Sequence, residues 1–147
     1  MAENDGTPIT ATLYDAEYYR GTSVSLTPDR WGEGDSAVVY SLAGLGIARL
    51  GSLQAPPGSG DDVPHPFHQR IGWITHVTVW ASRPLALRLA PEERGTTWQQ
   101  YSADTGDLGT WSSRTRYVRV WRQMDDAAPV TNPVAPGDSP RLLRFVE

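Results

Sequence analysis

Three histidines, His65, His68 and His76, fall within twelve positions of one another, just after Asp61 and Asp62. Imidazole nitrogens three residues apart on a loop, with carboxylates nearby, are a donor set for zinc or nickel. Pro64 and Pro66 impose an extended path that splays His65 from His68, so solvated loop histidines and no resident metal are expected. Asp104-Thr105-Gly106-Asp107 offers oxygen ligands, but too few for a complete calcium shell, and reads equally as an exposed turn. The carboxylate pairs Glu92-Glu93 and Asp125-Asp126 are sequence neighbours, which usually point apart. No nucleophile elbow, phosphate loop or zinc-protease motif is present, and no set of residues fills mutually oriented catalytic roles. The chain is therefore expected not to be an enzyme.

Aromatic and arginine side chains offer binding chemistry instead. Trp31 and Trp111, in glycine-rich surroundings, and Trp98 are candidate stacking rings for a carbohydrate. Near the end of the last long strand, Arg114, Arg116 and Arg122 share one parity and Tyr117, Arg119 and Trp121 the other. Such a composition suits an interface or a stacking platform. The plainer reading, and the one adopted, is a solvated arginine face backed by aromatics buried in the core.

The elements that must position these groups are strands. The 147 residues are enough for one domain, or for two small halves sharing a core. Fourteen glycines and 12 prolines argue for many turns, and no window repeats apolar residues at helical spacing for three turns. With no cysteine the chain has neither disulfides nor thiolate sites. A net charge of −4 speaks against nucleic acid as a partner, and all 13 basic residues are arginine. The N-terminus lacks the positive charge and apolar run of a signal peptide, and no stretch approaches the roughly 20 apolar residues of a membrane span. The expected location is cytoplasmic at synthesis, or within an assembled particle such as a virion.

Alternation predicts strands at about 9–15 and 22–27, at Val38–Leu42 and Ile47–Gln54, and at Trp73–Trp80, Leu85–Leu89, Thr97–Tyr101 and Tyr117–Arg122. A short helical turn is allowed near 29–32 or 91–101. Residues 1–8 form a polar lead, 9–55 a first Greek key, 56–70 a long linker loop, and 71–123 a second, diverged half. Residues 124–147 form a proline-punctuated arm ending in the amphipathic Arg141-Leu142-Leu143-Arg144-Phe145-Val146.

Leu13-Tyr14-Asp15-Ala16-Glu17-Tyr18-Tyr19-Arg20-Gly21 joins the first two strands. Its pattern, Tyr14, then Tyr19 after four residues, then Gly21, resembles the folded hairpin that opens a βγ-crystallin Greek-key motif. The resemblance implies that Ser52 hydrogen-bonds back to this hairpin, and it covers residues 9–58. In the second half Val79-Trp80 sits where Leu13-Tyr14 sits, and Val118-Arg119-Val120 where Leu53-Gln54-Ala55 sits, yet residues 81–86 lack the hairpin's Tyr and Gly. Many βγ-crystallins bind calcium. Here the acidic positions of that pattern fall on Ile47 and Ala48, and the second alignment offers Ser112, Ser113, Arg116 and Tyr117, so calcium is not expected.

The expected fold is thus all-β, an antiparallel Greek-key sandwich resembling a βγ-crystallin domain, with an extended C-terminal arm. A terminus of this composition frays unless tied down, so Arg141, Leu142, Leu143, Phe145 and Val146 are the expected contacts to a partner protein or sister subunit. The expected function is non-catalytic, structural or adaptor docking within a larger bacterial or phage assembly. A carbohydrate-binding module and a calcium-binding βγ-crystallin are the alternatives, and no cofactor, nucleic acid or membrane partner is expected.

Overall fold

In the computed structural model, which describes residues 10–30, 36–55, 63–64, 70–71, 73–84, 89–124 and 142–147, short strands build two main sheets. The strands are β1 (Ala11–Ala16), β2 (Arg20–Leu26), β3 (Asp29–Arg30), β4 (Ser36–Ser41), β5 (Ser52–Gln54), β6 (Val63–Pro64), β7 (Arg70–Ile71), β8 (Trp73–Trp80), β9 (Trp98–Tyr101), β10 (Tyr117–Met124) and β11 (Leu142–Val146). The first sheet runs β2-β1-β5 and the second β11-β4-β10-β8-β9, with β3 beside β10 and β6 paired to β7 as a separate ribbon. Two single-turn helices, α1 (Leu42–Leu45) and α2 (Trp111–Arg114), precede β5 and β10.

Alternation makes the core. Ala11 and Leu13 on β1 are fully buried while the alternate Thr12 and Tyr14 are not, the half-covered pattern of a strand with one apolar face. Their cluster continues through Leu26 and Leu53 of the first sheet to Val77, Val79, Val118 and Val120 of the second. Leu42, Ile47, Leu50, Leu108 and Trp111 close it from the connections.

The two halves repeat one register. Tyr14 faces Ser52, Leu13 faces Leu53 and Thr12 faces Gln54, just as Trp80 faces Tyr117, Val79 faces Val118 and Thr78 faces Arg119. The bond from Gly51 N–H to the Tyr14 carbonyl (2.8 Å) recurs from Arg116 N–H to the Trp80 carbonyl (2.9 Å). Each half also lends a segment to the other's sheet: β4 pairs with β10, and Leu53 bridges Thr105. This is the Greek-key sandwich expected of the sequence. The second half differs between β8 and β9, where the described residues include a 3₁₀ turn at Pro91–Glu93.

One expected element changes, and others fall largely outside the described residues. Ile47–Gln54 is a strand only over its last three residues, since α1 ends at Gly46 and Ile47 N–H still bonds the Leu42 carbonyl. Most of the strand expected at Leu85–Leu89 lies outside the described residues, and Leu89, which is described, is buried without being in a strand. The Trp31 loop, most of linker 56–70 and the arm up to Arg141 also lie outside the described residues.

Tyr101 packs at the margin of the inter-sheet core, and burial pushes its hydroxyl up to about 12, with Arg94 pulling weakly the other way. A phenol that ionises near pH 10 in the unfolded chain favours the folded state fully below that pH. This contribution is lost as pH rises through about 12. Alkaline titration should therefore show tyrosinate absorbance from Tyr101 arriving together with loss of β-sheet circular dichroism. Replacement by Phe should move that unfolding to higher pH.

Candidate functional site

β1 ends at Ala16 and β2 begins at Arg20, so the turn is Glu17-Tyr18-Tyr19. The register shifts by one residue between Tyr14 and Ala16, a bulge that twists the hairpin tip. Tyr18 (φ 58°) and Tyr19 (φ 61°) both adopt the left-handed conformation, which costs an L-residue about 1–2 kcal/mol. Gly21 (φ 85°) follows, and a Cβ there would meet the Asp15 carboxylate, whose Oδ1 accepts from Thr22 N–H (2.9 Å). Glycine is needed at that position for conformation and for space.

Distant residues hold the strained tip. Ser52 Oγ accepts from Tyr19 N–H (2.8 Å) and donates to the Ala16 carbonyl (2.6 Å). Tyr18 N–H donates to the Gly106 carbonyl (2.7 Å). The Tyr14 and Tyr19 rings meet edge to face at 5.8 Å, and Tyr14 OH donates to Gln54 Oε1 (2.8 Å). Gly51 completes the clamp, since a Cβ on it would lie 2.5 Å from the Ala16 carbonyl carbon. Tyr14, Tyr19, Gly21 and Ser52 thus come together at one end of the sandwich.

Arg49 reaches the same end. Its Nη2 donates to Glu17 Oε2 (2.7 Å) and its Nη1 to the Asp15 carbonyl (3.1 Å). The Arg49 hydrogen bond holds the Glu17 carboxyl below the usual range, and the same bond raises the guanidinium. Calcium ligation does not fit here. Ile47 is buried in the core, Gly51 offers no hydroxyl and has no room for one, and Arg49 adds a positive charge beside Glu17. In the second half the Ser112 and Ser113 hydroxyls donate to the Gly109 and Thr110 carbonyls of their own helical turn. Asp104 Oδ1 accepts from Ala55 N–H (3.0 Å) and Asp107 Oδ1 from Gly109 N–H (2.8 Å), so the acidic loop serves the backbone.

The stacking candidates are corrected. Trp98 is 2% exposed, with its indole N–H on the Ala90 carbonyl, and Trp111 is 5% exposed, with its outer side under the Arg114 guanidinium at 4.4 Å. Neither offers a face to a sugar, and Trp31 lies outside the described residues. The exposed large hydrophobic side chains among the described residues are Tyr18 (59%) and Tyr19 (36%). Tyr18 is not singled out by the sequence, and no local signal marks it, because the bond that holds it comes from Gly106.

The arginine face also differs from expectation. Arg114 lies on α2, not on a strand, and donates to the Gly95 (3.1 Å) and Thr96 carbonyls. Tyr117, Arg119 and Trp121 lie on the face of the second sheet turned away from the inter-sheet core, whose own positions on β10 are Val118 and Val120. Arg119 and Trp121 are buried there nonetheless, at 2% and 1% exposure. His76 is buried beside them, with Nδ1 2.6 Å from Ser102 Oγ and its ring 4.5 Å from Trp121, so it is no open metal ligand. His65 and His68 lie outside the described residues.

The C-terminal strand is placed on its own chain. β11 runs parallel to β4, from Leu142 opposite Ser36 to Val146 opposite Tyr40. Phe145 packs on the cluster of Ala37, Val39, Trp80, Leu89 and Trp98, edge to face with Tyr117 and under the Arg83 guanidinium at 3.8 Å. Arg83 Nε also donates to Glu147 (2.8 Å), while Arg141 lies outside the described residues.

The chain is similar in structure to βγ-crystallin domains. A βγ-crystallin domain from Clostridium beijerinckii is 24% identical, with 76% of this chain and 97% of that one covered, at a TM-score of 0.46. The N-terminal domain of protein S is 19% identical over 76% of this chain and 93% of its own, at 0.47. The βγ-crystallin Hahellin is 18% identical over 79% and 94%, also at 0.47. No protein-family model and no curated protein matches the sequence.

Proposed function

We propose that the chain is a non-catalytic docking module of a larger bacterial or phage assembly, in which the edge of β4 is the socket and the C-terminal strand is the plug. The observation that carries this reading is the parallel seating of β11 on β4, fastened by Phe145 and by the Arg83–Glu147 pair. Strand addition of this kind draws affinity from main-chain hydrogen bonds and specificity from alternate side chains.

β11 lies two strands from β10, about 10 Å across the sheet, a gap far shorter than the contour of residues 125–141. The same connection allows the strand to occupy a neighbour's socket without losing a contact, the exchange that builds swapped oligomers. In dilute solution the tethered plug holds an effective concentration in the millimolar range, so the free chain closes on itself. Neighbours held together in an assembly compete with that closure.

A chain ending at Met124 keeps β10 and leaves the socket open. It should capture a labelled peptide of residues 141–147 in a fluorescence-polarisation titration, and Phe145→Ala in the peptide should weaken capture at least tenfold. The full chain should capture it far more weakly. A shortened chain that folds, by circular dichroism, yet ignores the peptide would rule out the socket.

A further inference from the structure

We infer that the hairpin tip is a saccharide-binding site, with the exposed ring of Tyr18 as the stacking platform and the Glu17–Arg49 pair as its hydrogen-bonding rim. This goes beyond the docking reading and does not depend on it, since the tip is built on the first sheet and β11 on the second.

The fold gains little from the Tyr18 ring. It is 59% exposed on a left-handed backbone that a tyrosine disfavours and that asparagine or glycine would accept. Its inner contact is with Gly106, where a Cβ would come within 3.1 Å of the ring. Tyr19 has internal work, through Ser52 and Tyr14; among the described residues the Tyr18 side chain has none of that kind. Strain maintained at an exposed aromatic, and clamped by the bond from its own N–H to the Gly106 carbonyl, is the mark of a residue whose partner lies outside the fold.

The surroundings select the partner's chemistry. A protein interface needs a broad desolvated patch with an apolar centre, whereas here two tyrosines stand among Glu17, Arg20, Thr22 and Ser23, all polar and at least partly exposed. An aromatic ring that directly follows, in sequence, a carboxylate paired to a guanidinium matches a pyranose ring. Its C–H face lies on the tyrosine, and its vicinal hydroxyls meet a carboxylate that accepts and a guanidinium that donates. Glu17 and Arg49 are joined at 2.7 Å with side chains 36% and 41% exposed, so both keep hydrogen-bonding capacity facing water.

Affinity electrophoresis of the full chain through gels containing glucan, mannan, galactan, xylan or soluble chitosan tests the site. At least one polysaccharide should retard the wild type, with Tyr18→Ala weakening retention at least tenfold and Tyr18→Phe retaining it. Tyr18→Asn should also lose retention while raising the melting temperature by about 3 °C, because the left-handed strain is relieved. Overturning results are no retardation by any of the five, retention by Tyr18→Ala equal to wild type, or no thermal gain in Tyr18→Asn. A Tyr18→Ala change seen only in the solution mass would transfer the ring to a protein contact and equally refute the saccharide site. Peptide capture by the socket is read separately, so either idea can fail alone.

Discussion

Trp121→Ala is expected to cost about 4 kcal/mol of stability, seen as a lowered urea midpoint, because a buried indole leaves both a cavity and lost contacts. The indole is 1% exposed and its N–H donates to Thr78 Oγ1 (3.0 Å), whose hydroxyl in turn donates to Gln100 Oε1 (2.8 Å). That chain of bonds stitches β10 to β8 and β8 to β9 through side chains, on the face away from the inter-sheet core. The ring also lies 4.5 Å from His76 and 5.1 Å from the Arg119 guanidinium, so it fills space between two buried polar groups. Removing it admits water to both and weakens three strands together. Trp121→Phe keeps a ring but not the donor, and its smaller loss, about 1–2 kcal/mol, separates hydrogen bond from packing. A loss below about 1 kcal/mol in the alanine variant would mean that this face is already wet, since a dry cavity of that size cannot cost so little.

This layer shows where sequence reading stops. The parity of Tyr117, Arg119 and Trp121 is legible, as is the inward turn of that side, but not the face of the sheet on which Arg119 and Trp121 are buried. Val118 and Val120 between them are equally apolar, and local alternation cannot rank two apolar faces. Trp111 was misplaced for a related reason: neighbouring glycines mark a loop, yet an indole brings enough apolar surface to turn inward from one. Trp98 sits on its expected strand, but on a buried face that alternation alone does not identify. The partner of β11 was illegible because β4 lies a hundred residues earlier, and edge pairing leaves no local periodic trace. What could be read was whatever short-range chemistry dictates. Gly21 signals a left-handed turn, Leu13 and Leu53 signal one apolar face, and Val79-Trp80 echoes Leu13-Tyr14, although residues 81–86 lack the hairpin residues that would complete the repeat. Tyr18 shows the limit on the functional side. Its neighbours in sequence say nothing of its conformation, which Gly106 holds directly from a distant loop and Ser52 supports through the adjoining Tyr19 and Ala16.

Ser52→Ala is therefore expected to have an effect out of proportion to the loss of one hydroxyl. Ser52 is fully buried, and its Oγ serves both the Tyr19 N–H and the Ala16 carbonyl. Alanine leaves a donor and an acceptor without partners, each costing about 1–3 kcal/mol where water cannot reach. It also frees two tyrosines whose left-handed backbone opposes the turn. A loss of about 3 kcal/mol in denaturant unfolding should accompany a local change, much faster hydrogen exchange at the Tyr18 and Tyr19 amides than elsewhere in β1 and β2. Ser52→Thr keeps the oxygen, so exchange at those amides should stay slow even though the added methyl strains a full site. The two readouts separate a positioning role from a packing one. If alanine lowers stability while the tip amides remain protected, Ser52 is only core filler and Gly106 alone fixes the turn. If the amides open, the serine is what converts an unfavourable pair of tyrosine conformations into a rigid platform.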